Sequence, residues 1–118
     1  MGNLRIHKGF EQIIILMKNK NHLNSEIEKQ LITYLVNAGA RRIGIFGSYA
    51  QGTADTSSDI DILVKFADIK SLLELVKIER ELSELLHIKI DLLTENSISP
   101  FLIDRIKSEE QVIYENLH

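Results

Sequence analysis

The stretch IGIFGSYAQGTADTSSDIDILVKF, residues 43–66, decides the fold. An apolar run ends at Gly47 and Ser48, small and polar residues follow, and apolar residues return around Asp59 and Asp61. This pattern predicts a strand, RRIGIF, that ends at Gly47 and a second strand, DIDILVKF, that begins with two acids. Residues two apart on a strand point to the same face, so both carboxylates should lie on one side of the sheet.

Helices are predicted on both sides of this stretch. A first helix is expected over residues 7–18, and a second follows a capping box formed by Ser25 and Glu28 and ends at Gly39. A third helix is expected over residues 69–86, where Glu79 interrupts an apolar stripe. The stripe, interpreted as core, consists of Leu72, Leu75, Val76, Leu82 and Leu86.

The C-terminal third predicts two further strands and a short helix. HIKIDLL alternates, which places Asp91 on the face opposite Ile90 and Leu92. Ser99, followed by proline, predicts the start of a helix that runs to about Lys107, and EQVIYE is expected to form an edge strand. Strands that alternate with helices of crossover length indicate an α/β domain.

The composition favours a single globular domain over residues 1–118. The chain is 44% hydrophobic, which supports a core, and its net charge of −3 argues against non-specific binding of nucleic acid. There is no cysteine, so disulfides and thiolate metal sites are excluded. No apolar run has the length of a signal core or a membrane span, so we expect a cytoplasmic protein without membrane contact.

The candidate site combines Gly47 and Ser48 with three acids. A glycine at a strand end allows a positive φ, and the serine could cap the next helical turn or hold a phosphate with backbone N–H groups. Asp59 and Asp61 would repel each other unless a cation lies between them, and Mg²⁺ is a suitable one. Asp91 could join them if its strand is a neighbour. Each piece alone also has a simpler interpretation, as a turn, an edge-strand acid or a surface acid.

Taken together, these residues resemble a known family. Gly47-Ser48, a short intervening segment, Asp59-Ile60-Asp61 and then Asp91 resemble the signature of the polymerase-β-type nucleotidyltransferase superfamily. The small size and the ending after Asp91 look most similar to the minimal nucleotidyltransferases (MNT), the antitoxin half of HEPN/MNT toxin–antitoxin pairs. The resemblance implies a small nucleotidyltransferase fold, in which helices flank a mixed sheet of three to four strands.

The resemblance also implies roles for the site residues. In similar enzymes the Gly-Ser pair, here Gly47 and Ser48, binds the triphosphate of ATP. Asp59 and Asp61 would hold Mg²⁺, and Asp91 would complete a second metal site and help to activate the acceptor hydroxyl. The implied reaction transfers AMP to a hydroxyl group, expected to be a tyrosine, of a HEPN-type toxin encoded by the adjacent gene.

One residue departs from the family pattern. Many relatives carry arginine at the position of Gln51, so a phosphate or partner contact loses its charge here. Other basic residues that could supply positive charge, Arg41, Arg42 and Lys65, are better interpreted as solvated charges. Two alternatives to protein adenylylation remain, and this departure and the small size of the domain favour the first of them. The domain could neutralise its partner by binding alone, or it could transfer AMP to a small molecule such as an aminoglycoside.

Overall fold

The computed structural model describes residues 23–116, and the helix predicted over residues 7–18 lies outside them. Within the described part of the chain no helix is long and apolar enough to cross a membrane. The helices are α1 (Ser25–Asn37), α2 (Ser48–Gln51), α3 (Leu72–Leu86) and α4 (Pro100–Glu109), with a 3-10 turn at Glu95–Ser97. The strands are β1 (Ala40–Phe46), β2 (Ile60–Phe66), β3 (Ile90–Leu93) and β4 (Gln111–Glu115).

The four strands form one mixed sheet in the order β3-β2-β1-β4. β1 is antiparallel to both β2 and β4, whereas β2 and β3 are parallel. The parallel pair requires a crossover, and α3 supplies it. The α/β class and the mixed sheet of up to four strands are therefore confirmed, and β4 is the predicted edge strand.

The core lies between the sheet and helices α1 and α3. Strand side chains such as Ile45, Ile62 and Ile90 are almost fully buried, and they belong to one apolar cluster with Leu35 of α1 and Leu82 of α3. Burying a side chain of this size stabilises a protein by about 1.5–3 kcal/mol. This packing holds the strands that carry the candidate site against two long helices.

The ends of α1 and α4 agree with the sequence patterns except at one cap. In α1 the N-cap is Asn24, whose Oδ1 accepts a hydrogen bond of 2.8 Å from the N–H of Glu26. The predicted capping box at Ser25 is therefore wrong by one residue, because the amide of Asn24 reaches the free N–H groups first. Gly39 follows this helix with φ 102°, as predicted. Ser99 caps α4 as predicted, and the helix extends to Glu109.

The prediction for α3 is only partly correct. The helix begins at Leu72 after a capping box made by Ser71, rather than at residue 69. Its buried apolar residues are Ile78, Leu82 and Leu86, whereas Leu72 and Val76 of the predicted stripe are 75% and 49% exposed. A helix of this length is about 22 Å long and β3 only about 13 Å, so the sheet covers only part of the helix.

Candidate active site

The structure brings the three predicted acids together at one edge of the sheet. Asp59 directly precedes β2, Asp61 is its second residue, and Asp61 pairs with Asp91 of the parallel strand β3. The alternation of each strand places the two paired aspartates on the face opposite the apolar cluster. The three carboxylates thus lie near the N-terminal ends of two adjacent strands, which is the arrangement that a shared site requires.

Lys89 lies beside these acids, and the sequence interpretation did not include it in the site. Its Nζ is 3.5 Å from Oδ2 of Asp59 and 3.9 Å from Oδ1 of Asp91. The side chain of Lys89 is 70% exposed, so each ion pair contributes little to stability. A single exposed ammonium therefore compensates the charge of three carboxylates only in part. The sequence signal that Lys89 belongs to the site is its position two residues before Asp91, on the same face of the strand.

The environment of Asp61 disfavours the ionised form of its carboxyl group. The pKa of Asp61 is raised to about 6, first by burial and then by the neighbouring Asp91 and Asp59, against a smaller opposing effect of Lys89. Both causes act on the ionised form, which is desolvated and lies next to like charges. A cation at this position would relieve both.

Gly47 brings the loop after β1 into contact with Asp61. It adopts φ 73° and ψ −151°, a conformation that is essentially restricted to glycine. A Cβ at this position would overlap with Oδ2 of Asp61 and lie 3.1 Å from its Cγ. The prediction that a positive φ and a close backbone approach require this glycine is therefore confirmed.

Ser48 and Gln51 are the first and last residues of the short helix α2. Gly47 is its N-cap and no side chain caps the helix, so the alternative in which the Ser48 hydroxyl serves as a cap is wrong. Ser48 instead follows the residue that touches Asp61. The Nε2 of Gln51 donates to Oε1 of Glu109 at 3.4 Å, a long contact between α2 and α4.

Arg42, one of the basic residues considered in the sequence, forms ion pairs outside the candidate site. Nη2 of Arg42 lies 2.8 Å from Oε1 of Glu110, whose side chain is only 3% exposed, and Nε lies 3.7 Å from Glu115. The charge of Arg42 is therefore used to pair with an acid between β1 and β4. The interpretation of Arg42 as a solvated charge is therefore wrong, because its side chain is only 24% exposed and pairs with an acid that is almost fully buried.

The donor set suits Mg²⁺ although it is not a closed cage. Within residues 23–116 no group of three or more metal-ligating side chains is already converged around one point. Mg²⁺ needs no such cage, because it usually binds one or two carboxylates and takes its other ligands from substrate phosphates and water. The uncompensated carboxylates around Asp61 fit that incomplete type of site.

The sequence interpretation also missed a contact behind Asp91. Oε2 of Glu79, on α3, accepts a hydrogen bond of 2.8 Å from the N–H of Leu92, the residue after Asp91. In the sequence, Glu79 is recognisable only as an interruption of the apolar stripe. An acid on the buried side of a helix needs a donor, so the interruption itself was the signal.

Comparisons with known proteins identify the family. The family model described as "Polymerase beta, Nucleotidyltransferase" matches residues 29–118, most of the chain and the whole candidate site. The chain belongs to this family. Its fold is therefore that of a nucleotidyltransferase.

Relatives of this nucleotidyltransferase carry more specific names. It is 49% identical over 85 residues (72% of this chain, 91% of the relative) to "Putative protein adenylyltransferase MJ0435" of Methanocaldococcus jannaschii. It is 41% identical over 76 residues (64% and 75%) to protein adenylyltransferase MntA of Thermococcus cleftensis. A crystal structure of a toxin–antitoxin with AMP-PNP superposes with a TM-score of 0.70 at 28% identity, covering 76% of this chain and 74% of that one.

Proposed function

We propose that this nucleotidyltransferase is a single-domain, cytoplasmic antitoxin that transfers AMP from ATP to a tyrosine hydroxyl of a HEPN-type toxin. Asp59, Asp61 and Asp91 would hold Mg²⁺, two ions in the full complex, and Gly47 and Ser48 would hold the triphosphate. The names of the relatives support protein adenylylation, and the structural neighbour with AMP-PNP supports ATP as the donor.

The observation that carries the proposal is the contact between Gly47 and Asp61. It places the start of α2 directly beside the carboxylates of β2 and β3, so one nucleotide can reach both. A phosphate beside Ser48 would lie where a bound cation also meets the acids. Anionic substrate and acidic side chains can share this site only with a cation between them.

The chemistry is a displacement at the α-phosphorus of ATP. The acceptor hydroxyl oxygen forms a bond to phosphorus, the bond to the bridging oxygen breaks, and pyrophosphate leaves with the electron pair. The proton of the hydroxyl passes to a carboxylate, for which Asp91 is the candidate because its side chain is 41% exposed and its residue pairs with Asp61. Bound Mg²⁺ would supply charge stabilisation to the attacking and leaving oxygens.

The proposed acceptor is a protein because the site is open. Asp91 lies on the edge strand β3, and both Asp91 and Asp59 are partly exposed. A partner that presents a tyrosine at this edge could complete the site and exclude water from it. Modification of a toxin by AMP would then account for the antitoxin role that the family resemblance implies.

The experiment is transfer of label from ATP, radioactive at the α-phosphate, in the presence of Mg²⁺ and the product of the adjacent gene. Wild type should label the partner, and the double variant Asp59→Ala with Asp61→Ala should not. Asp68→Ala is a matched control, because Asp68 is an exposed acid just beyond the other end of β2. Peptide mass spectrometry of the labelled band should then locate AMP on a tyrosine.

Two other results would replace this proposal. A stable complex that protects cells equally well with the double-alanine variant, and no label with either protein, would indicate an antitoxin that acts by binding alone. Label on an aminoglycoside without any partner protein would indicate a small-molecule adenylyltransferase. Loss of label with Asp68→Ala to the same extent as with the double variant would remove the evidence for a specific role of the two acids.

A further inference from the structure

β3 is a short edge strand that carries one of the three site acids. It spans only Ile90–Leu93, and its sheet partner is β2 on one side. The carbonyl of Lys89 accepts from the N–H of Ile60, so the main-chain groups of residues 89 and 91 face β2. The N–H groups of Ile90 and Leu92 therefore point away from the sheet, where an edge strand normally lacks protein partners.

Two side chains of α3 supply those partners. The N–H of Ile90 donates to Oγ of Ser83 at 3.0 Å, and the N–H of Leu92 donates to Oε2 of Glu79 at 2.8 Å. The hydroxyl of Ser83 in turn donates to the carbonyl oxygen of Glu79 at 2.7 Å, which turns a lone pair of Oγ towards Ile90. Both outward N–H groups that flank Asp91 are thus bound by one helix.

The spacing of the two elements makes this possible. Residues four apart on a helix are separated by about 6 Å along its axis, and residues two apart on a strand by about 6.6 Å. Glu79 and Ser83 therefore match the repeat of Ile90 and Leu92 and act as the neighbouring strand that β3 lacks. We call this pair of hydrogen bonds the α3 clamp.

The α3 clamp favours the observed register between β3 and β2. Asp91 faces Asp61 only in the observed pairing, and a slip of one residue would turn Asp91 to the apolar face of the sheet. The like charges of Asp61 and Asp91 oppose the observed register when both are ionised. Bonds from α3 to Ile90 and Leu92 favour it, because each donor meets its acceptor only in that pairing.

The helix that carries the clamp is itself fixed to the rest of the domain. The hydroxyl of Tyr34, on α1, donates to Oε1 of Glu81 at 2.5 Å. Leu82 of α3 lies fully buried in the apolar cluster. The position of α3, and through it the position of β3, is therefore set by the core.

We propose that Glu79, supported by Ser83, is a positioning residue that holds the third carboxylate, Asp91, in register with Asp61 for metal binding. Glu79 does not touch the nucleotide or the acids; it acts through the N–H of Leu92. The inference rests on the proposed function for its consequence in catalysis. Its effect on the strand and on metal binding can be measured separately.

The test compares Glu79→Ala, Glu79→Gln and Ser83→Ala with wild type in the full chain. Glu84→Ala is the control, because Glu84 is an exposed acid on the same helix. The first readout is hydrogen exchange of the Leu92 amide by NMR without metal. The second is the Mg²⁺ concentration that gives half of the maximal rise in Tm in the presence of a non-hydrolysable ATP analogue. The third is AMP transfer.

The expected result is a specific loss that glutamine rescues. Glu79→Ala should speed exchange of the Leu92 amide and raise the half-saturating Mg²⁺ concentration at least about tenfold, as losses of outer-shell contacts do. Glu79→Gln keeps an acceptor oxygen and should stay close to wild type, as should Glu84→Ala. Ser83→Ala, which removes a single bond, should raise the Mg²⁺ requirement less and serves if Glu79→Ala does not fold.

The inference is overturned if folded Glu79→Ala, or Ser83→Ala in its place, needs the same Mg²⁺ concentration as Glu84→Ala. It is also overturned if glutamine fails to rescue the amide protection of Leu92. If wild type binds Mg²⁺ as described and the variants lose it, but no protein transfers AMP, the positioning role stands and the proposed function fails.

Discussion

Replacing Asp61 with asparagine should stabilise the metal-free protein although it removes a central group of the active site. The ionised carboxylate is half-buried beside Asp91 and Asp59, and this environment raises its pKa to about 6. Asparagine has nearly the same shape but no charge, and its amide can donate a hydrogen bond to Asp91. The substitution therefore exchanges a repulsion for an attraction within the same space.

The magnitude follows from the shift in pKa. A rise from 3.8 to about 6 corresponds to about 3 kcal/mol at roughly 1.4 kcal/mol for each unit of pKa. Because Asp61 remains partly exposed to water, screening reduces the effect, and we expect about 1–1.5 kcal/mol. For a domain of this size that gain corresponds to a rise in Tm of about 5 °C.

The direction of the shift in the pKa of Asp61 determines how stability depends on pH. The folded state binds the proton of Asp61 more tightly than the unfolded state does, so the stability from this group is fully present below about pH 4 and is lost as the pH rises through about 6. The Asp61→Asn protein has no ionisable group at this position and shows no such loss of stability. The difference in free energy of unfolding between Asp61→Asn and wild type should therefore be near zero at about pH 4 and complete above about pH 7.

Urea unfolding in EDTA at several pH values measures this difference. Asp68→Asn, which removes the same charge at an exposed position, controls for the net charge of −3. Adding Mg²⁺ and an ATP analogue should stabilise wild type but not Asp61→Asn. A difference that does not change with pH, or an Asp61→Asn protein that is less stable than wild type in EDTA near neutral pH, would refute the reasoning.

Three further substitutions test other parts of the structure by urea unfolding. Gly47→Ala forces a side chain into a conformation restricted to glycine and into the carboxylate opposite, and should cost about 1–3 kcal/mol and most of the transfer activity; a cost below that range would argue against the close approach. Arg42→Ala leaves the buried Glu110 without its cation and should cost about 3 kcal/mol, part of which Glu110→Gln in the same chain should restore; additive effects would contradict the pairing. Tyr34→Phe removes the bond to Glu81 and should cost about 1.5 kcal/mol, with no change in Mg²⁺ requirement expected if α3 stays in place.

The strands and the site acids could be predicted because local rules determine them. An apolar run that follows two acids indicates β2, alternation of apolar and polar residues indicates β3, and glycine at position 47 ends β1 where a positive φ is needed. The pairing of Asp61 with Asp91 follows once the two strands are parallel neighbours with their acids at equivalent positions. Their roles in metal binding came from the family resemblance and remain proposals.

The features that could not be predicted depend on how the elements pack. Two of the five residues in the apolar stripe of α3 are exposed because α3 is longer than the strand it covers, and the length of β3 is not encoded in the helix itself. Lys89 and Glu79 were visible as charges, but their partners lie on other elements or on the main chain of a neighbouring strand. The cap of α1 moved by one residue because two adjacent polar residues compete for the same role.

These contacts explain why an acid stands on the inner side of α3. The site requires carboxylates on β2 and β3 that repel each other before a cation binds, and that repulsion acts on a four-residue strand at the sheet edge. Hydrogen bonds within the sheet join β3 to β2 alone, so the outward N–H groups of β3 need acceptors from another element. Glu79 supplies one of these acceptors to the N–H of Leu92, directly after Asp91. The place of Glu79 on the inner face of α3 is thus explained by a main-chain donor that lies next to a site acid.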